Sequence, residues 1–156
     1  MRGMGLSLEF YLGNADAISR AISDIELEQL DDPSIVADSA DFSLHIEPAD
    51  LELLSESMAR FNGQKPQGFR QSLEILVDEE DRGALIVQSG WTNYVGTISD
   101  ERVEEVVELW AASMRAKHND VKIVVTEQMR TAVNDLVRLC RSASKGGGRV
   151  VHVWYL

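Results

Sequence analysis

The chain has 156 residues, 44% of them apolar and 26% charged, with 26 acids against 15 bases and a formal net charge of −11. That size and balance fit one globular domain over residues 1–156, able to bury about two thirds of its unfolded surface. They exclude a wholly disordered chain and any need for a metal or disulfide as a staple.

Residues 6 to 12, Leu-Ser-Leu-Glu-Phe-Tyr-Leu, alternate with period two and predict a half-buried strand. Gly13-Asn14 breaks the alternation. Asn14 suits a helix N-cap before Ile18, Ala21, Ile22 and Ile25, which follow helical spacing. Residues 26 to 41 are acidic and irregular, with a turn at Asp31-Asp32-Pro33-Ser34. Phe42, Leu44 and Ile46 alternate again, so 41–47 reads as a second strand. Pro48 suits the first turn of a helix whose stripe is Leu51, Leu54, Met58 and Phe61, ended by Asn62-Gly63.

After a polar loop at 62–68, Leu73, Ile75 and Val77 alternate, although Phe69, Leu73, Leu76 and Val77 also fit a helix. The turn Asp81-Arg82-Gly83 into Ala84-Leu85-Ile86-Val87 favours a strand within 69–80 and an antiparallel hairpin. Residues 89–96, Ser-Gly-Trp-Thr-Asn-Tyr-Val-Gly, read as a loop. A helix follows from Ser99 or Asp100 to about Lys117, with Val103, Val106, Val107, Trp110 and Met114 on one face. Its acids stand first and its bases last, as the helix dipole prefers. Val121 to Val125 predict a strand. Thr126 caps a helix with Met129, Ala132, Val133, Leu136, Val137 and Cys140 inward, and residues 149–155 close the chain as a strand. The order is β-α-β-α-β-β-α-β-α-β. It predicts an α/β fold (α+β being the variant), with one mixed, twisted sheet of about five to six strands and about four helices. The β-α-β ending would make two strands parallel.

Charge is unevenly placed. Residues 1–60 carry thirteen acids and three bases, whereas residues 115–149 carry eight bases and three acids. An acidic first part repels phosphates, which argues against nucleic acid and anionic membranes and for a basic protein partner. Asp31, Asp32, Asp38 and Asp41 are the candidate partner-binding acids. The bland alternative is solubility. No run approaches the roughly 18 apolar residues of a membrane span, no apolar leader follows Met1, and one cysteine gives no sign of an oxidising compartment. The expectation is a soluble, cytoplasmic protein.

Motifs for catalysis are not assembled. Lys145-Gly146-Gly147-Gly148-Arg149 leaves a helix C-terminus, the wrong end for holding phosphate. His45, His118 and His152 lack metal-ligand spacing, Cys140 lies on an apolar stripe, and the carboxylate pairs have no cation-loop pattern, so neither metal nor cofactor is expected. The leading expectation is a non-catalytic protein-binding or regulatory protein of the inhibitor or immunity kind. A second reading is a small-molecule-binding domain or minor enzyme with Trp91, Asn93 and Tyr94 as ligand contacts in the 89–96 loop. A third is a subunit of a homo-oligomer, joining the acidic part of one copy to the basic part of another.

Overall fold

The computed structural model describes residues 6–65, 67–119, 122–146 and 148–156. Its centre is one five-stranded sheet. The strands are β1 (Ser7–Gly13), β2 (Val36–Asp41), β3 (Leu73–Asp78), β4 (Arg82–Val87) and β5 (Arg149–Tyr155), in the spatial order β2-β1-β5-β4-β3. Every pairing is antiparallel. Five helices accompany it: α1 (Ala15–Ser23), α2 (Pro48–Asn62), α3 (Ser89–Gly96), α4 (Val103–Lys117) and α5 (Glu127–Ser144).

The local signals work where expected. The Asn14 side chain accepts from the Ala17 N–H at 3.0 Å, and Thr126 accepts from Met129 N–H at 3.2 Å. Pro48 opens α2, and Gly63 closes it at φ 68°, a left-handed cap that glycine adopts without a Cβ penalty. The 73–87 hairpin forms, with Leu73 opposite Val87 and Ile75 opposite Leu85.

Three expectations need correction. The second strand is not 41–47 but 36–41. Ser43 leaves the ladder, its hydroxyl accepting from Leu8 N–H at 3.1 Å, and His45 turns left-handed at φ 60°. The alternation of Phe42, Leu44 and Ile46 comes from a chain wrapped over the end of the core. Among the described residues of 121–125, Lys122 to Val125 form no ladder, and Val121 lies outside the described residues. Ile123 and Val125 pack on the core, and the Ile123 carbonyl accepts from Arg115 at 2.8 Å. β-Branched residues thus cover a helical layer here rather than enter a sheet. With no strand between α4 and α5 among the described residues, no parallel crossover arises, and the sheet is antiparallel rather than mixed. Finally, 89–96 is helix α3 instead of a loop.

The two faces of the sheet follow from the period-two alternation. Leu8, Phe10 and Leu12 of β1, with Val150 of β5 and Val87 of β4, pack under α2 to α5, around Trp91, Trp110 and Leu136. Tyr11, Val151, Val153 and Ala84 face the other way, against Ile18 and Ile22 of α1 and Leu30 of the 3-10 turn Leu27–Asp31. β5 runs between β1 and β4, so the last strand of the chain joins its first strand to the central hairpin. Among the described residues no helix is long and apolar enough to cross a membrane.

Candidate functional site

Trp91 and Tyr94 sit in the core, each 1% exposed. The indole Nε1 of Trp91 donates to Ser55 Oγ at 2.9 Å, and the Tyr94 hydroxyl donates to the Ser55 carbonyl at 2.6 Å. Ser55 Oγ in turn donates to the Gln67 carbonyl. Buried aromatics with a polar handle need such partners, and α2 supplies them from inside the fold. Asn93 alone of the three is exposed. The rings are not on a surface where they could stack on a ligand, so their role as ligand contacts is withdrawn. Sequence spacing in an eight-residue segment does not reveal which face a short helix buries.

The four candidate acids fare unequally. Asp38, on β2, is held by Arg138 of α5 through two hydrogen bonds of 2.7 and 2.8 Å. Those hydrogen bonds keep its carboxyl below the ordinary range. Asp38 is therefore occupied within the chain, and the acidic and basic parts of the sequence meet there in one molecule. Asp32 accepts from the Ser34 N–H at 2.9 Å and the Ser34 hydroxyl at 2.8 Å, which hold its carboxyl low and fix the turn. Asp41 accepts from Ser43 N–H at 2.9 Å. Asp31, Asp32 and Asp41 remain exposed.

These three belong to a larger surface. Residues 14–35, which carry α1 and the following turns over one sheet face, hold six acids and one base, Arg20. Glu9 and Asp41 stand opposite each other in register on that same face. The Tyr155 hydroxyl donates to Glu9 Oε1 at 2.7 Å, and burial followed by this carboxylate pushes Tyr155 up to about 12. Ile25 stands among the acids, between Asp24 and Glu26, 62% exposed with φ 56°. It occupies the left-handed position of a Schellman cap, where Glu26 N–H reaches the Ala21 carbonyl at 2.8 Å. Glycine is the usual residue there, because a β-branched side chain costs about 1–2 kcal/mol in that conformation. Helical periodicity places Ile25 with Ile18 and Ile22. The cap turns it out instead.

A second feature escaped the sequence altogether. Asp50, 2% exposed, lies at the N-terminus of α2 beside a cleft of about 630 Å³. Its Oδ2 accepts from Glu47 N–H at 2.9 Å, closing a capping box with Glu47. Its Oδ1 lies 2.9 Å from His118 Nε2 and 3.5 Å from Lys117 Nζ. Desolvation raises the Asp50 carboxyl, but the Glu47 N–H and His118 outweigh it, and the group ends below the ordinary value. Ligating atoms of Glu47, Asp50 and His118 lie within 4.8 Å of one another, a spacing that a cation could use. Lys117 already places an ammonium 3.7 Å from Glu47 and 3.5 Å from Asp50, and the positive end of α2 opposes a further cation. The cluster reads as a tie between the start of α2 and the end of α4. Sixty-eight residues separate Asp50 from His118, so no local spacing could announce it.

Cys140 is buried on α5, and burial pushes its thiol far up, which makes it a packing residue rather than a nucleophile. Comparison with protein-family models, with curated proteins and with solved structures found no match.

Proposed function

We propose that this chain is a non-catalytic binding protein that captures a basic protein partner on the acidic face built by α1, the 27–35 turns and the β1–β2 edge. The observation that carries the reading is Ile25. A large apolar side chain, exposed, on left-handed backbone and flanked by Asp24 and Glu26, contributes little to the fold and costs free energy to keep. An apolar side chain with a polar rim matches the usual anatomy of a protein interface, an apolar centre inside a polar border. The surrounding acids, Asp16, Glu28, Asp31 and Asp32 among them, would speed encounter with a positive surface and bias partner choice. Asp38 is excluded from this surface role by its pairing with Arg138.

The test is capture from a host lysate by the immobilised protein. One stoichiometric basic protein is expected at low salt, fading toward 1 M, where the screening length is about 3 Å. Ile25→Asn removes the anchor while suiting the left-handed cap, so it should abolish capture with a melting curve unchanged or shifted upward. The triple change Asp24→Asn, Asp31→Asn, Asp32→Asn should weaken capture at low salt only. Capture indifferent to both variants would refute the reading.

A further inference from the structure

On the helix-facing side of the sheet, beside the start of α2 at Pro48, lies a cavity of about 360 Å³. Phe69, Leu73, Leu85 and Trp154 form an apolar wall, and His152 and Arg70 are its polar lining residues. The wall is specified by backbone as much as by side chains. A Cβ at Gly83 would fall 2.2 Å from Trp154 Nε1, so the Trp154 indole packs directly against the β4 backbone in space that only glycine leaves open. His152 stands opposite Phe10 on β1 and Leu85 on β4. Its ring is 3% exposed and lies between Phe10 and Phe69, at centroid distances of 4.7 and 5.3 Å.

The imidazole has a defined hydrogen-bonding state. Nδ1 is 3.1 Å from the Glu9 carbonyl, and a carbonyl only accepts, so Nδ1 carries the proton. Burial pushes His152 down to about 4, so the ring is neutral near pH 7 and its Nε2 is a bare acceptor. Among the described residues Nε2 has no hydrogen-bond partner. A buried acceptor without a donor, in the lining of an apolar cavity, is a place where a ligand hydroxyl recovers a lost hydrogen bond. Arg70 at the rim is exposed, and among the described residues its guanidinium makes no hydrogen bond or ion pair, although its backbone N–H donates to Glu52 at 2.6 Å. A guanidinium in that place suits a carboxylate.

We propose that this cavity is a small-molecule site for a hydroxyaryl carboxylic acid, its ring against Phe69, Leu85 and Trp154, its hydroxyl donating to His152 Nε2 and its carboxylate paired with Arg70. The site is independent of the acidic face, which lies on the opposite side of the sheet.

The experiment is calorimetric titration with three probes, 4-hydroxybenzoate, 4-hydroxyphenylacetate and 3-(4-hydroxyphenyl)propanoate, which carry the carboxylate at increasing reach. His152 is followed in parallel through its imidazole nitrogen resonances. At least one probe is expected to bind saturably, one per chain, and to shift the Nε2 resonance. Arg70→Gln, at an exposed position, should weaken that probe about tenfold or more, in keeping with a charge-assisted hydrogen bond. Leu73→Trp, at a half-buried position, should block binding by filling the cavity while the melting curve shows an intact fold. Three results would overturn the proposal: no saturable binding of any probe at millimolar concentration, binding undiminished by Arg70→Gln, or binding that survives Leu73→Trp.

Discussion

Truncating Trp91 to alanine separates a core residue from a surface contact with one number. The side chain is 1% exposed, stacks at 6.1 Å from Phe10 and tilts against Phe69 at 5.0 Å. Removing a buried Trp side chain costs roughly 3–5 kcal/mol in lost transfer energy and residual cavity. The lost bond to Ser55 Oγ adds little beyond that, because the hydroxyl keeps its own acceptor in the Gln67 carbonyl. For a chain of this length each kcal/mol moves Tm by about 2–4 °C, so the midpoint should fall by roughly 6–20 °C. Urea unfolding should show a lower midpoint with an unchanged m-value, the mark of altered stability rather than altered denatured state. Asn93→Ala, two positions away and exposed, should stay within about 0.5 kcal/mol of the parent. A Trp91→Ala protein that melts within about 2 °C of the parent, less than even 1 kcal/mol would produce, would refute the placement of α3 and return its aromatics to the surface.

Stability should fall with acid partly because of His152. Its folded pKa is about 4 against an ordinary 6.5, so the unfolded state binds the proton first as pH falls. The contribution is full above about pH 6.5 and is lost toward pH 4, by about 3 kcal/mol. The urea midpoint measured from about pH 7 to about pH 4.5 should therefore drop more steeply in the parent than in His152→Phe, and equal slopes would contradict it. Asp38→Asn breaks a half-exposed pair with Arg138 and should cost no more than about 1 kcal/mol, while Asp31→Asn should cost nothing measurable in the same assay. Asp50→Ala removes one half of the capping box and should cost at least about 1 kcal/mol by thermal melting. An unchanged Tm would mean that α2 and α4 are not tied there.

Much of the architecture was legible because its signals are local. The alternation of Leu8, Phe10 and Leu12 sets a strand face, Asn14 and Thr126 cap helices through a side chain three residues from its partner, and Gly63 ends α2 in a left-handed conformation that glycine takes without a Cβ penalty. The spacing of Val103 to Met114 placed Trp110 inside, where it is found. Residues whose environment is set by the neighbouring turn of chain announce themselves.

The rest depended on which elements meet. The β-propensity of Ile123, Val124 and Val125 could not say whether a ladder partner exists, and α4 rather than a strand lies beneath Ile123. Alternation at Phe42, Leu44 and Ile46 could not separate a ladder from a chain wrapped over the core. Trp91 and Tyr94 went inside because Ser55, nearly forty residues earlier, offers both polar partners. Asp38 was claimed by Arg138 across 100 residues, and Asp50 by His118 across 68. Period, caps and charge imbalance could be read along the linear chain, since each depends on residues within a turn or two. Folding alone settled which acids stay free, which aromatics are buried and where His152 leaves an acceptor without a donor, because burial and hydrogen-bond satisfaction belong to pairs that the chain brings together only in three dimensions.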